Sequence, residues 1–380
     1  MERKKSILFW AITFGGPVIL GIMMGIVFYS GNSTGIFPVV WMFLPAAAVM
    51  IGQLVTKKQD DGQIKLPKRF IITFLVITVV EVLVSCLAFF MDGNTVTLIG
   101  NIVFMAGSVL SLIFILTEKK ETRKAYGLSN QKIGKGIIYI LIFLVIYLII
   151  AIGPVSVALL AEGEKVTMES FGITTAGILN AVSLPFMFFL TFLPYFGEEY
   201  GWRYYLLPRL MRRFGGRSSL FIVGVVWGLW HVPINMFFYS PDTAVQSILT
   251  QVIACIGFSV YFAYAYMKTD GNIWVAVAIH FLNNNLAASF GGGDGSGKEY
   301  SWISVAIAAA VYIILLVLPF IFSKTFSKAN TESFVTRMLA PVVVPDTTKA
   351  VAAEPVDATS PATSSISEEE ASDETFSNKD

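Results

Sequence analysis

Of 380 residues, 55% are hydrophobic and only 14% charged, with a formal net charge of +1. Soluble domains carry roughly 25% charged residues, so this much apolar surface excludes an ordinary water-soluble globule. The near-neutral balance also argues against a nucleic-acid binder, which would show a clustered basic face. Cys86 and Cys255 both lie inside apolar runs, where each reads as a small buried thiol. No disulfide framework or metal-type cysteine spacing is present.

The chain opens Met1-Glu2-Arg3-Lys4-Lys5 and runs into an apolar stretch. That stretch is as long as a bilayer-spanning helix and has no clean cleavage site, so it reads as a retained first span and not a signal peptide. A hydrocarbon core of ~30 Å needs about 20 apolar residues in a helix. Ten segments meet that need: 7–29, 36–56, 70–91, 96–117, 137–161, 176–206, 220–239, 245–267, 272–290 and 302–323. Lipid offers no partner to open backbone groups, so these runs are helices. The expected fold is an all-α, polytopic transmembrane helix bundle of about ten spans. Prolines 38, 45, 154, 185, 194 and 233 fall within spans and should kink them.

With ten spans and a cytosolic N-terminus, every Lys and Arg of the 27 except Lys165 and Lys298 falls on the cytosolic side. This positive-inside asymmetry predicts both termini inside and a multi-pass protein of the cell membrane. Residues 1–135 form a four-span N-terminal region and 136–325 a core. The acidic, Pro-, Ser- and Thr-rich stretch 338–380 cannot bury a core and is expected to be disordered.

Ionisable residues inside spans are costly, and few occur here. Glu81 sits alone in the third span and reads either as a buried hydrogen-bonding group or as an accessory residue. Glu198, Glu199 and Arg203 lie in the sixth span, within Phe196-Gly197-Glu198-Glu199-Tyr200-Gly201-Trp202-Arg203. The only two histidines are His231, in Trp227-Gly228-Leu229-Trp230-His231, and His280, in His280-Phe281-Leu282-Asn283-Asn284. Glu199 and Arg203 share a helix face with Glu N-terminal to Arg, the favourable order. Glu198 points about 100° away and lacks that partner. His280 and Asn284 also share a face. At ~1.5 Å per residue, Glu198 and His280 lie ~12 Å from the cytosolic side and His231 ~17 Å, so three helices bring their polar groups to similar depth.

A carboxylate beside a neutral imidazole can hold and deprotonate a water, while a second imidazole and a carboxamide donate to a developing oxyanion. Alternatively Glu198, His231 and His280 could ligate Zn²⁺ with one position open for water. No Ser has a His at an obvious same-face spacing, which weakens a serine mechanism.

Glu198-Glu199-x-x-x-Arg203, then Trp227-x-x-x-His231, then His280-x-x-x-Asn284 resemble the three motifs of the CAAX-protease and bacteriocin-processing family. These are intramembrane endopeptidases that include the type II CAAX prenyl endopeptidases. The motif region covers residues ~176–290. The resemblance implies Glu198 as general base, His231 as its water-holding partner, His280 and Asn284 as the oxyanion site, and Glu199 with Arg203 as a supporting pair. Both a metalloprotease and a metal-free glutamate mechanism have been argued within the family. The implied partners are a peptide or lipidated-protein substrate and membrane lipids, with the active-site cavity opening toward the cytosol. Two departures stand out: Trp227 where the prenyl-protein branch often has Phe, and ten spans where about eight are typical.

Two other classes remain open on the sequence. One is an ion-coupled transporter using the buried charges as a relay, although no internal repeat supports it. The other is a non-catalytic scaffold or bacteriocin self-immunity protein. Trp202, Tyr204 and Tyr205 read as aromatic-belt anchors, and Arg209 to Arg217 as a topology signal able to hold anionic headgroups. The run Gly291 to Gly297 lacks the context of a phosphate loop and reads as a flexible outside loop.

Overall fold

The computed structural model describes residues 2–56, 64–161, 163–167, 171, 173–290 and 296–340. The acidic stretch beyond 340 and residues 291–295 of the glycine run lie outside the described residues. Among the described residues every regular element is helical. The first four helices are α1 (Glu2–Tyr29), α2 (Phe37–Thr56), α3 (Lys68–Cys86) and α4 (Gly93–Leu116). After the short α5 (Lys120–Ala125) and the long α6 (Ile133–Ala161) come α7 (Thr175–Thr191), α8 (Leu193–Glu199), a π-helical stretch (Tyr200–Leu206) and α9 (Leu207–Phe214). Next are α10 (Gly216–Trp230), α11 (Val232–Ile234) with a π-helical extension (Asn235–Tyr239), α12 (Ala244–Lys268) and α13 (Ile273–Phe290). The chain closes with α14 (Trp302–Tyr312), π-helical Ile313–Val317, α15 (Leu318–Ile321) and α16 (Lys328–Met338).

Side-chain caps start several of these helices: the Asp92 carboxylate accepts from Thr95 N at 3.0 Å, the Thr174 hydroxyl from Gly177 N at 3.0 Å and the Ser301 hydroxyl from Ser304 N at 3.1 Å. Each satisfies an amide that the first turn leaves open.

Seven helices are long and apolar enough to cross a membrane, and nine if each of two bent pairs counts as one span. Their outward faces carry many large apolar side chains, including Val18, Ile22, Val79, Leu83, Ile138, Leu141, Val182 and Ile303, all more than half exposed. An apolar surface of that extent needs lipid as its solvent, and the chain is a multi-pass membrane protein.

Three expected spans differ from their single-helix reading. The sixth is broken at Phe192, where α7 and the helix running from Leu193 to Phe214 meet at 73°. Pro194 in the first turn of α8 cannot continue the ladder, and Ser108 Oγ accepts the Leu193 amide at 3.3 Å. The seventh bends by 42° at His231, just before Pro233. The ninth candidate, α13, has an apolar stretch of only Ile273–Ala287. Its Ile273, Val275, Ala276, Val277 and Ile279 are wholly buried, so protein, not lipid, surrounds those positions and bilayer thickness does not set its length.

Two glycine pairs spaced by four fix how the motif helices sit. A Cβ on Gly197 would lie 2.3 Å from Met42 O, and one on Gly201 2.2 Å from Pro45 Cβ, so the Glu198 helix lies directly on α2. On α10, a Cβ on Gly224 would meet Ile256 Cα at 2.5 Å, and one on Gly228 would meet Val252 Cα at 2.5 Å. Small residues at this spacing let backbones approach closely where burial from water supplies no drive. The N-terminal helices also bond to α10 directly: Trp41 Nε1 donates to Trp230 O (3.2 Å), and Trp230 Nε1 to Thr13 O (2.7 Å).

Candidate active site

The break at Phe192 starts a new helix whose second turn carries Glu198 and Glu199, both almost fully buried. The π-helical turns begin at Tyr200, a widening that recurs at functional sites. The ladder is irregular here, yet Arg203 Nη1 reaches Glu199 Oε1 at 3.1 Å. The Arg203 guanidinium lies against two rings, with Cζ 4.4 Å from the Trp227 ring centroid and 4.7 Å from that of Phe262. Cation–π contact with two rings makes this a favourable place for a buried cation.

Glu199 does more than pair with Arg203. Its Oε1 also lies 2.8 Å from His280 Nδ1, and the two residues are 81 positions apart. A carboxylate only accepts, so His280 donates through Nδ1–H and turns Nε2 away from Glu199. Edge-on aromatic contacts hold the ring: its centroid is 5.5 Å from Trp227 and 5.4 Å from Tyr195. Tyr195 is itself tied to α13, because its hydroxyl accepts from Asn285 Nδ2 at 2.8 Å.

Glu198 is not without a partner on its own helix, contrary to the sequence reading. Trp202 Nε1, four residues on, donates to Glu198 Oε2 at 3.2 Å. Trp227 Nε1 from α10 donates to the same oxygen at 2.5 Å. Two neutral donors thus hold one carboxylate oxygen and fix the plane of the group. Trp202 is wholly buried and Tyr205 nearly so, which corrects their reading as interfacial anchors.

His231 stands at the 42° bend, 8% exposed. Its Nδ1 lies 2.8 Å from Trp227 O, which only accepts, so the proton is on Nδ1 and Nε2 keeps its lone pair. The bend is locked by Asn235, whose Nδ2 donates to His231 O (2.9 Å) and whose Oδ1 accepts from Ser247 Oγ (2.5 Å). Asn284 is one turn along α13 from His280, and its Oδ1 accepts from Asn283 Nδ2 at 3.0 Å, leaving its own amide group to donate elsewhere. Glu81 is fully buried in the seam between α3 and α4, with its Oε2 3.2 Å from where a Cβ on Gly100 would sit.

Trp227 is therefore the hub. Its N–H meets Glu198, its ring lies under Arg203 and against His280, and its backbone carbonyl orients His231. Sequence reasoning noted it only as an aromatic; the signal was an indole donor one turn before an intramembrane histidine. Tyr195, Asn235 and Asn285 were missed because their partners lie on other helices or at a bend.

In the metal alternative, Glu198, His231 and His280 would be the Zn²⁺ ligands. Among the described residues, no three His, Cys, Asp or Glu side chains gather into a group that would hold a metal ion. As placed, Glu198 Oε2 faces two indoles and His280 Nδ1 faces Glu199, so a metal here would have to be held by Glu198 Oε1 and the Nε2 atoms of His231 and His280.

The fold and this geometry define a polytopic membrane protein with a buried carboxylate–imidazole centre at broken helices. Residues 180–286 match the family described as type II CAAX prenyl endopeptidase Rce1-like. The matched segment contains all three motifs, and at the level of the family the resemblance is to a CAAX-type intramembrane protease. No curated protein matches the chain.

Proposed function

We propose that the protein is an intramembrane endopeptidase that hydrolyses a peptide bond with a water activated by Glu198, without a metal ion. The observation that carries this reading is the commitment of Glu198 Oε2 to two indole N–H groups, which leaves Oε1 as the basic oxygen. A water held between Glu198 Oε1 and His231 Nε2 gives its proton to Glu198, and its oxygen attacks the scissile carbonyl carbon. The resulting oxyanion takes hydrogen bonds from His280 Nε2–H and the Asn284 amide. Donating at Nε2 as well as at Nδ1 requires His280 to carry both ring protons in this step, with the Glu199 carboxylate beside it. Glu198 then passes the proton to the leaving nitrogen, the C–N bond breaks, and an acid and an amine result.

In this reading Glu199 and Arg203 orient His280, and the substrate is a membrane-associated peptide or lipidated protein entering from the cytosolic side. The lysine and arginine asymmetry supports that orientation. The test is turnover of a fluorogenic peptide by the full chain in detergent, with metal content measured alongside. Wild type should cleave before and after treatment with a strong chelator, and Glu198→Gln should not cleave. Cleavage by Glu198→Gln would overturn the role of Glu198, and loss of wild-type turnover on chelation, restored by Zn²⁺, would overturn the metal-free step.

A further inference from the structure

Far from the catalytic cluster, the start of α10 opens a cavity of about 840 Å³ between α9, α10 and α16. At ~1.5 Å per residue, the 15 residues of α10 put it ~22 Å along that helix from His231. Gly215, at φ 78°, makes the turn from α9 to α10, and no side chain caps the new helix. The first-turn amides of Gly216, Arg217 and Ser218 have no acceptor within the helix, and all three residues line the cavity. So do Arg212 and Lys328, with Glu332 the single acidic side chain. Arg217 is held in place by its Nε, which donates to Ile321 O at 3.1 Å.

A second, independent observation points to a ligand. Thr331, on α16, also lines the cavity; it is 3% exposed, and its hydroxyl has no hydrogen-bond partner. That hydroxyl would lie 2.6 Å from a Cβ on Gly216, so it faces the open first turn of α10. A buried hydroxyl left without a partner is costly, and here it sits among uncapped amides and three cations. Uncapped amides, the helix dipole and arginines together favour a phosphate group.

The surroundings identify the source. Phe214 lines the cavity and is 45% exposed, while Arg217 lies 5.9 Å from the ring of Phe322, which is 71% exposed. A soluble phosphate has no use for apolar side chains turned outward at its rim, whereas acyl chains do. We propose that this cavity binds the phosphate-bearing headgroup of an anionic membrane lipid and fastens the α9–α10 junction, the link between the Glu198 and His231 helices.

The test uses the full chain in neutral detergent, with native mass spectrometry for retained lipid and melting temperature for stabilisation. Palmitoyl-oleoyl-phosphatidylglycerol should be retained and raise the melting temperature, while the phosphatidylcholine with the same acyl chains and inorganic phosphate should not. Thr331→Val keeps shape and removes the hydroxyl, and Arg212→Gln alters an exposed side chain, so both should fold. Each should weaken phosphatidylglycerol binding about tenfold, the effect of one lost charge-assisted hydrogen bond, while Lys298→Gln on a remote loop binds as wild type. Wild-type binding by Thr331→Val and Arg212→Gln, equal weakening by Lys298→Gln, or equal protection by phosphatidylcholine overturns the site. Protection by inorganic phosphate alone overturns the lipid as its occupant.

Discussion

Trp227 Nε1 donates to Glu198 Oε2 at 2.5 Å, joining α10 to the helix that follows the break at Phe192. A phenylalanine in this position would keep an aromatic ring, smaller than the indole, but could not donate. The indole therefore adds a function to a place where the resemblance called only for an aromatic ring. Trp227→Phe should keep the contacts with Arg203 and His280 and lose one hydrogen bond to a charged group, worth roughly 1.5–3 kcal/mol. If that bond holds the base in its working plane, kcat falls about ten- to a hundredfold with KM nearly unchanged. Nitrogen-15 NMR of the indoles provides a readout independent of turnover. Glu198→Gln should move the Trp202 and Trp227 resonances and leave those of the other tryptophans in place. Unchanged kcat in Trp227→Phe would reduce the residue to packing.

The glycine seams set the distance across which that bond forms. A Cβ on Gly228 would sit 2.5 Å from Val252 Cα, a backbone atom that no rotamer change can move. Gly228→Ala should therefore push α10 off α12, lowering melting temperature in detergent and misplacing Trp227 and His231 together. Gly153 has open space around its Cβ position. Gly153→Ala should change neither property, and a matching loss there would mean that helix propensity, not the seam, is at work.

Much of this centre is legible in the sequence because intramembrane charge is rare. Glu198, Glu199, Arg203, His231 and His280 stand out against apolar neighbours, and the four-residue spacing from Glu199 to Arg203 is enough to predict their bond. The ten apolar runs give the helical class in the same way. Distances along a helix do not reveal which helix lies alongside. The His280–Glu199 bond and the Trp227–Glu198 bond are tertiary, and both depend on breaks at Phe192 and His231 that a continuous apolar run conceals. Trp202 was readable as a donor to Glu198 by its spacing, but an aromatic near an expected interface reads equally well as an anchor.

Outside the spans, Asp270 ties three elements together. Lys132 Nζ lies 2.5 Å from its Oδ2, and Arg337 Nη1 lies 3.0 Å from its Oδ1. Partial burial pushes the Asp270 carboxyl up, but Lys132 and Arg337 outweigh it and hold the group below the ordinary carboxylate range. A carboxylate depressed in the folded state stabilises the fold above its unfolded value, about 3.9, and that contribution is lost as pH falls through the folded value. Melting temperature should be steady near neutrality and fall in acid, below about pH 4. Asp270→Asn is the suitable probe, because the backbone there has φ 56° and asparagine tolerates that region. The variant should start lower at pH 7 and show a weaker acid-dependent fall. Equal acid sensitivity in both proteins would place the titrating group elsewhere.

The orientation proposed from the basic residues can be measured in intact cells. In a background with Cys86 and Cys255 replaced by alanine, cysteines at Lys120 and Lys298 probe two exposed positions predicted to lie on opposite sides. The thiol at 298 should react with an impermeant reagent added outside, and that at 120 only after permeabilisation. The reverse pattern would invert the topology and the proposed cytosolic entry of substrate.

The adjacent glutamates should fail in different ways. Glu199 Oε1 serves both Arg203 and His280, so Glu199→Gln leaves a buried guanidinium without its counter-charge. Breaking a buried pair from one side costs about 3–5 kcal/mol, enough to depress melting temperature and yield, and turnover falls with them because His280 loses its orienting acceptor. Glu198 accepts from two neutral indoles and balances no cation directly. A glutamine there can still accept from both indoles through its carbonyl oxygen while its NH₂ takes the place of the basic oxygen. Glu198→Gln should therefore hold its melting temperature within a few degrees, retain Trp202 and Trp227 in place, and abolish cleavage. Arg203→Lys sharpens the comparison, since it keeps the charge but loses the guanidinium contacts with the Trp227 and Phe262 rings; it should resemble Glu199→Gln in stability. If Glu198→Gln and Glu199→Gln prove equal in both melting temperature and rate, the two carboxylates act as one unit and the division between base and support is wrong.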